Sequence, residues 1–168
     1  KVLVFDWCYH GSVDEALVIR AADGSTMARH GSIGPQVDPA LTTVVVPFND
    51  VEALRTALAA GDVACVLAEP ALTNIGIVLP DPGFHDALRA ACTDTGTLLV
   101  IDETHTICTG PGGYTGAHGL QPDVLVLGTD IARSVVLSEA RTRDKAIIDL
   151  VRVRDRVVEN AAGYRGIT

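Results

Sequence analysis

The amino-acid sequence predicts an α/β fold, a three-layer, mostly parallel sheet with helices on both faces. Helical patterns alternate along the chain with apolar runs rich in Val, Leu and Ile, which are typical of strands buried on both faces of a parallel sheet. This alternation implies right-handed βαβ crossovers. With 168 residues the chain is long enough for one domain with a sizeable core. Five runs are predicted as strands, at residues 2–6, 42–48, 63–68, 97–102 and 123–128.

Three segments between the strands carry helix signals. Residues 12–15, Ser-Val-Asp-Glu, match a capping box and predict a short helix. Residues 49–52, Asn-Asp-Val-Glu, predict the start of a second helix that ends at Gly61. Residues 82–95 predict a third helix, because apolar side chains recur there every three or four positions and Gly96 follows.

The rest of the chain is predicted as two loops and a helical end. Residues 21–40 are rich in Gly and Pro, and residues 109–121 contain five glycines, so both are predicted as loops. A helical pattern covers roughly residues 134–160. We therefore expect an α/β core over residues 1–128 and a helical continuation over residues 129–168.

Composition excludes some classes of partner. A net charge of −8 argues against binding to nucleic acids or anionic membranes, because such binding requires clustered Lys and Arg. The apolar fraction of 48% is high, but no apolar run approaches the roughly 20 residues needed to cross a bilayer. The apolar start of the chain is too short for a signal peptide, and the four cysteines are far apart with no C-x-x-C pair. Reduced thiols and a cytoplasmic location are therefore expected.

Polar residues follow the predicted strands at the points where they end. Because the carboxyl ends of parallel strands share one edge of a sheet, we expect these residues to converge in space and to form a ligand site. They are residues 6–11, Asn49, Glu69, residues 102–105 and Thr129.

Two carboxylates stand out at this edge. Asp102 follows five apolar or small residues, and a carboxylate buried there is costly unless a cation or a hydrogen-bond donor accompanies it. The partner can be a ring nitrogen of a cofactor, a metal or an arginine, or Asp102 can simply bond backbone N–H groups of its own loop. Glu69 has the same placement one strand earlier, with the same alternatives.

Residues 9–11, Tyr-His-Gly, follow the first strand. The ring of Tyr9 could cover the face of a planar ligand, and Gly11 would let the backbone approach it closely. His10 could serve the same ligand or be a structural histidine with its hydrogen bonds satisfied.

Other chemistries receive little support from the motifs. The side chains of Asp102, Glu103, His105 and Cys108 can all ligate metals, but their spacing matches no established zinc motif, so we expect no metal site. The sequence contains no P-loop, no G-x-G-x-x-G and no G-x-S-x-G.

Five blocks of sequence resemble the class III, pyridoxal-phosphate-dependent aminotransferases, and within them the glutamate-1-semialdehyde aminomutase group. The resemblance implies the large domain of a fold-type I enzyme, pyridoxal 5'-phosphate as cofactor, and a homodimer that transfers an amino group as an aminotransferase or aminomutase. The implied substrate is a small amino acid or amino-ketone. The blocks are FDWCYHGSVDE at residues 5–15, LAEP at 67–70 with NIG at 74–76, PDPGF at 80–84, LLVIDETH at 98–105 and PDVLVLG at 122–128.

The resemblance also implies roles for individual residues. Asp102 matches the aspartate that binds the pyridinium nitrogen and keeps it protonated, which lets the ring act as an electron sink. Thr104, where valine is more usual, matches the residue that packs on the ring. Tyr9 matches the tyrosine over the other face, with His10 beside it, and Glu69 belongs to the floor of the site.

The chain departs from the family at one decisive position. The lysine that binds the cofactor covalently follows Val-Leu-Gly in the family, whereas Thr129 follows Gly128 here, and the only lysines are Lys1 and Lys145. Threonine can neither form that bond nor move the proton in amino transfer. We therefore predict no catalytic residue and no activity for the chain as written.

Two explanations of this departure remain open. Segments can be absent between residues 128 and 129 and near residues 151–152, where the likeness is lost, or a trimmed domain has kept the fold and lost the chemistry. The abrupt loss at a strand end favours absent segments. The alternative function is a non-catalytic α/β scaffold or interaction module.

Overall fold

The computed structural model describes residues 1–34 and 37–128, together with the backbone of Ala146–Asp149 and Tyr164–Gly166. The chain forms two compact units, Lys1–Leu99 and Val100–Thr168. The division that the sequence predicts between residues 128 and 129 stays a prediction.

The first unit is built around a buried parallel strand. Strand β1 (Val2–Phe5) lies between β4 (Thr43–Val46) and β5 (Cys65–Ala68), and Leu3 stands opposite Val44 and Val66. Leu3, Val4 and Phe5 have no solvent-exposed surface, as expected for an apolar run in a parallel sheet.

Two helices of this unit follow the sequence signals closely. Helix α1 (Val51–Ala59) is capped by Asp50, whose carboxylate accepts a 2.9 Å hydrogen bond from the Ala53 N–H. Helix α2 (Phe84–Thr95) ends at Gly96, which has a φ of 68° that favours glycine. Both predicted helices are confirmed, the first with its cap one residue later than expected.

Aromatic rings form part of the core of the first unit. Phe5, Phe48 and Phe84 meet edge to face, with ring centroids 4.8 to 5.5 Å apart. This geometry is favourable beyond the area that the rings bury. It ties the end of β1 to the start of α2 and so supports the loop that leaves β1.

Two predictions for the first unit are wrong. The capping box at residues 12–15 yields only a 3₁₀ turn at Asp14–Ala16 without a side-chain cap, because the chain enters strand β2 (Val18–Arg20) directly afterwards. The predicted loop at 21–40 contains strand β3 (Thr26–Ala28), which pairs antiparallel with β2. A hairpin therefore precedes β4 where the composition suggested only a loop.

The second unit continues the parallel pattern. Its strands pair in the order β6 (Leu98–Asp102), β7 (Val124–Leu127), β8 (Ala146–Asp149) and β9 (Tyr164–Gly166), all parallel, although the first two residues of β6 belong to the first unit. All five predicted strands are thus present. Asp102, the last residue of β6, stands opposite Val126.

Two predictions for the second unit need correction. The predicted loop at 109–121 contains helix α3 (Gly113–His118). The helix predicted over roughly 134–160 is wrong at Ala146–Asp149, where two consecutive isoleucines favour the strand β8. The rest of that predicted helix, and Thr129, lie outside the described residues.

The mostly parallel strands and the intervening helices confirm the predicted α/β class. Among the strands that the structure describes, β2 and β3 form the one antiparallel pair of strands. In the same part of the chain, no helix has the length and apolar character needed to cross a bilayer.

Candidate functional site

Glu69 joins the two loops that follow β1 and β5. Glu69 is 3% exposed, and its Oε1 accepts a 3.1 Å hydrogen bond from the Tyr9 N–H. Oε2 accepts bonds of 3.2 Å from the Thr73 N–H and 2.5 Å from the Thr73 hydroxyl. Glu69 therefore holds the backbone of Tyr9 beside the segment that leaves β5, as the predicted convergence of strand ends requires.

The side chain of Tyr9 projects from this anchored backbone. It is 42% exposed, so its ring is available to a planar ligand, while His10 is half-buried. Gly11 has a φ of 76°, in the left-handed region that glycine adopts readily. The loop thus presents an aromatic ring from a backbone that is fixed on one side by Glu69.

Asp102 ends β6 as a buried carboxylate, 7% exposed. Its Oδ1 accepts a 3.0 Å bond from the Thr104 N–H and a 2.6 Å bond from the Thr104 hydroxyl. The loop-capping alternative that the sequence left open is therefore realised at one oxygen of Asp102. The two bonds also fix the direction of the carboxylate plane.

The end of β7 packs directly on Thr104. A Cβ added at Gly128 would overlap the Thr104 hydroxyl and would lie 2.8 Å from its Cγ2. A glycine at this position is what allows the two loops to approach so closely. Residues from the ends of β6 and β7 therefore converge, as predicted, within the second unit.

Glu103 organises this part of the second unit, and the sequence argument did not assign it that role. It is 1% exposed, and its carboxylate accepts bonds from the Thr106 hydroxyl at 2.5 Å, the Tyr114 N–H at 3.2 Å and the Thr115 N–H at 2.5 Å. The last two donors are N–H groups of the first turn of α3, which have no partner within the helix. A negative charge at this end of a helix also interacts favourably with the helix dipole. This contact explains why the glycine-rich segment becomes a helix.

The Glu103 carboxylate also acts on the neighbouring tyrosine. Burial raises the pKa of the Tyr114 phenol, and the negative charge of Glu103 raises it further. The Tyr114 ring stacks on His118, with centroids 3.9 Å apart. The Tyr114 phenol therefore stays neutral to a higher pH than an ordinary phenol does.

The two loops of the first unit contain further residues that the sequence argument missed. Asn74 donates a 3.2 Å bond from Nδ2 to the Trp7 carbonyl, and Arg29 donates a 2.6 Å bond from Nη2 to the Cys8 carbonyl. Asn49, which was expected at the site, instead bonds the Leu79 carbonyl and the Asp81 N–H. No local pattern signals these partners, because each lies more than 20 residues from the group it bonds.

The side chains considered for a metal do not form a cluster. Within the described residues, no three side chains of His, Cys, Asp or Glu are grouped so that they could hold a metal ion. Glu103 uses its carboxylate on α3, and the Cys108 thiol lies 3.6 Å from the His105 carbonyl.

The sequence matches a known protein family. A family model described as Aminotransferase class-III matches residues 1–164. The chain belongs to the class III aminotransferases. The resemblance drawn from the five sequence blocks is thereby confirmed, and pyridoxal 5'-phosphate is the cofactor of this family.

Within this family, the chain is similar to glutamate-1-semialdehyde aminomutases. The glutamate-1-semialdehyde 2,1-aminomutase of Roseiflexus castenholzii is 39% identical over 131 residues, which are 76% of this chain and 30% of that protein. A crystal structure of a glutamate-1-semialdehyde aminomutase from Pseudomonas aeruginosa is 53% identical, with a TM-score of 0.71 over 73% of this chain and 27% of the other. This class III aminotransferase chain therefore spans about 30% of the length of the relatives it matches.

A second structure from Pseudomonas aeruginosa bears on the cofactor. It is a lysine-to-alanine variant of such an aminomutase in complex with PMP, 52% identical, with a TM-score of 0.75 over 80% of this chain and 30% of the other. An omega-transaminase from Sphaerobacter thermophilus is 30% identical, with a TM-score of 0.65. These likenesses confirm the fold class predicted for the class III chain.

Among the described residues, the carboxylate of Asp102 is suited to the ring nitrogen of the cofactor, whereas the lysine described, Lys1, pairs with another carboxylate. Asp102 is a buried, oriented carboxylate at a strand end, which suits a protonated ring nitrogen. Lys1 stands at the start of β1, where its Nζ pairs with Asp62 at 3.1 Å. The other lysine, Lys145, lies outside the described residues.

Proposed function

We propose that this chain is part of a pyridoxal-phosphate-dependent enzyme that transfers amino groups, of the glutamate-1-semialdehyde aminomutase type. The class III family match and the aminomutase relatives in two organisms support the proposal. The substrate is an amino acid or amino-ketone. The chain spans only about 30% of the length of its relatives. We therefore assign the reaction to a whole protein of that length and not to this chain alone.

The observation that carries the proposal is the state of Asp102. A carboxylate buried at the end of a parallel strand is costly unless it meets a cation or donors. Thr104 supplies two donors to the Oδ1 atom and so orients the group. A protonated pyridine nitrogen is the cationic partner that suits such a carboxylate.

The chain's own residues then act on the cofactor without forming a bond to it. When bound, pyridoxal phosphate supplies an electron sink for the carbon whose amino group is exchanged. In the roles that the family resemblance implies, Asp102 would hold a proton at the ring nitrogen and Thr104 would pack on the ring. Tyr9 would lie over the ring with His10 beside it, and Glu69 would belong to the floor of the site.

The chain as written binds the cofactor without completing the reaction. Thr129, not a lysine, directly follows Gly128. The lysine expected at that position is the group that bonds the cofactor covalently and moves the proton. Segments absent between residues 128 and 129 and near residues 151–152 remain the favoured explanation.

We also propose that the whole protein is a cytoplasmic homodimer. Apolar side chains that are more than half exposed follow β5, at Ile75, Ile77 and Leu79, and such a patch is suited to burial against another chain. The four cysteines are free thiols, which is consistent with a reducing compartment.

Binding of pyridoxamine 5'-phosphate tests the proposal directly, because this form carries its own amine and needs no lysine. We expect the chain to bind it, as followed by the change in its fluorescence on titration. Asp102→Asn keeps the size of the side chain but removes its charge, and should weaken binding about 10- to 100-fold, as for loss of a hydrogen bond to a charged group. Asp86→Asn, at an exposed position of α2, is the matched control and should bind like the parent chain.

Two results would contradict the proposal. Equal affinity of the parent chain and Asp102→Asn would remove Asp102 from the site, and absence of binding by the parent chain would favour the scaffold alternative. Borohydride reduction with pyridoxal phosphate tests the claim of inactivity separately. An Asp102-dependent adduct on a lysine of this chain would overturn that claim.

A further inference from the structure

The loop that leaves β1 is held in an unfavourable conformation. Trp7 has a φ of 64°, and a bulky residue in the left-handed region carries a conformational cost. The Cys8 N–H closes a tight turn on the Phe5 carbonyl at 3.1 Å. Such a turn persists only when surrounding groups hold it in place.

Three side chains hold three consecutive residues of this loop. Asn74 bonds the Trp7 carbonyl at 3.2 Å, and Arg29 bonds the Cys8 carbonyl at 2.6 Å. The third bond, at 3.1 Å, runs from the Tyr9 N–H to Glu69 Oε1. We name Asn74, Arg29 and Glu69 the loop clamp.

Arg29 makes both a hydrogen bond and a ring contact to the loop. Its guanidinium carries a charge, which makes the short bond to the Cys8 carbonyl a strong one. The same guanidinium lies over the Trp7 ring, with Cζ 5.7 Å from the ring centroid. Arg29 thus engages both the backbone and the side chain of the segment that immediately precedes Tyr9.

The hairpin that composition did not predict is what brings Arg29 to the loop. Arg29 directly follows β3, and its N–H donates a 2.9 Å bond to the Leu17 carbonyl just before β2. The end of the hairpin is therefore closed beside the guanidinium. Few cations are available for this purpose, since the whole chain carries 13 Lys and Arg against 21 Asp and Glu.

We propose that Arg29 is a positioning residue that sets the ring of Tyr9 against the cofactor, acting through the Cys8 carbonyl and the Trp7 ring. The inference rests on the proposed function, in which Tyr9 covers one face of pyridoxal phosphate. In this role Arg29 acts through these groups and not through a contact with cofactor or substrate. Its effect on binding therefore depends on the presence of the Tyr9 ring.

A double-mutant cycle on Arg29 and Tyr9 tests this dependence. Arg29→Met keeps the length of the side chain but removes its charge and donors, and Tyr9→Leu removes the ring at an exposed position. Each single variant should weaken binding of pyridoxamine 5'-phosphate about three- to tenfold, and Arg29→Met should have almost no further effect in the Tyr9→Leu chain. Arg55→Met, at an exposed position of α1, is the matched control and should leave affinity unchanged.

Hydrogen exchange of the Tyr9 amide provides a readout without cofactor. Arg29→Met should speed this exchange at least several-fold while the amides of α1 exchange as in the parent chain, and Arg29→Lys should restore part of the protection. All variants are compared below their unfolding temperatures, checked by circular dichroism.

The outcomes separate the two claims. The positioning role is wrong if the parent chain and the Arg29→Met variant bind pyridoxamine 5'-phosphate equally well. It is also wrong if the effects of Arg29→Met and Tyr9→Leu on binding are additive. Unchanged exchange at the Tyr9 amide in Arg29→Met would also overturn it. If the parent chain does not bind at all, the proposed function fails first.

Discussion

Removal of the Glu103 carboxylate should destabilise the second unit strongly. Glu103 is 1% exposed and accepts three hydrogen bonds, from the Thr106 hydroxyl and from the N–H groups of Tyr114 and Thr115. At the low end of about 1.5 kcal/mol for each bond to a charged acceptor, the three bonds account for about 4.5 kcal/mol. Partial access of water to the freed N–H groups reduces this sum. We therefore expect Glu103→Ala to lower the free energy of unfolding by about 3–4.5 kcal/mol.

The more conservative Glu103→Gln should have an intermediate effect. The carbonyl oxygen of the glutamine can keep the hydrogen bonds made at one of the two carboxylate oxygens of Glu103. At the position of the second oxygen, the glutamine NH₂ group would face another hydrogen-bond donor. One bond to a charged acceptor is then lost, and the expected cost is about 1.5–3 kcal/mol. Glu52→Ala, at an exposed position in the first turn of α1, is the control, and should cost no more than about 1 kcal/mol through the helix dipole.

Urea unfolding followed by circular dichroism measures these differences, and hydrogen exchange locates them. The amides of Tyr114 and Thr115 should lose protection in Glu103→Ala. A free energy of unfolding within 1 kcal/mol of the Glu52→Ala value, or unchanged protection at these two amides, would refute the assignment of Glu103 as the cap of α3.

The same variant has a second, spectroscopic consequence. Glu103→Gln removes the negative charge that adds to burial in raising the pKa of the Tyr114 phenol, so that pKa should fall towards its ordinary value. Because the folded chain favours the neutral phenol, this group leaves stability unchanged below its ordinary pKa of 10.0 and lowers it as pH rises through the raised value. Ultraviolet titration of the phenolate, with Tyr114→Phe as the blank, measures the shift. An unchanged pKa in Glu103→Gln would contradict the electrostatic part of the argument.

Two further outcomes follow from close packing and burial. Gly128→Ala places a methyl group against Thr104 and should destabilise the chain by about 1–3 kcal/mol and weaken binding of pyridoxamine 5'-phosphate, because it displaces the hydroxyl bonded to Asp102. The loss should shrink in the Thr104→Ala background, and an equal loss there would show that this contact is not the cause. Iodoacetamide should label the exposed Cys108 first, whereas the half-buried Cys65, whose pKa is raised by burial, should react slowly and mainly at higher pH. Mass spectrometry of the labelled peptides measures the order, and faster labelling of Cys65 at neutral pH would contradict it.

Much of the fold could be predicted from local pattern. All five strands and the helices α1 and α2 were predicted within one or two residues at most of their ends, because apolar runs and terminal glycines act through neighbours in sequence. The placement of Asp102 at a strand end was predictable for the same reason. The resemblance to class III aminotransferases likewise depended on blocks that can be read directly along the chain.

The errors have different causes, and a contact from outside the segment explains the first of them. Helix α3 forms in a glycine-rich segment because Glu103, ten residues before its first residue, satisfies its first N–H groups. The hairpin of β2 and β3 lies in a segment whose composition is typical of loops. At β8 the local signal is mixed, because the two isoleucines of Ala146–Asp149 favour a strand within a stretch whose pattern is helical.

By itself, the sequence determined which residues stand at the ends of strands, and its blocks identified the family and its cofactor. Only the tertiary structure decided what those residues do for one another. Glu69 reaches the Tyr9 N–H across 60 positions of sequence, and Arg29 reaches the Cys8 carbonyl across 21. Such bonds depend on strand register and on the angle at which loops leave the sheet, and neither is a property of any short segment of sequence.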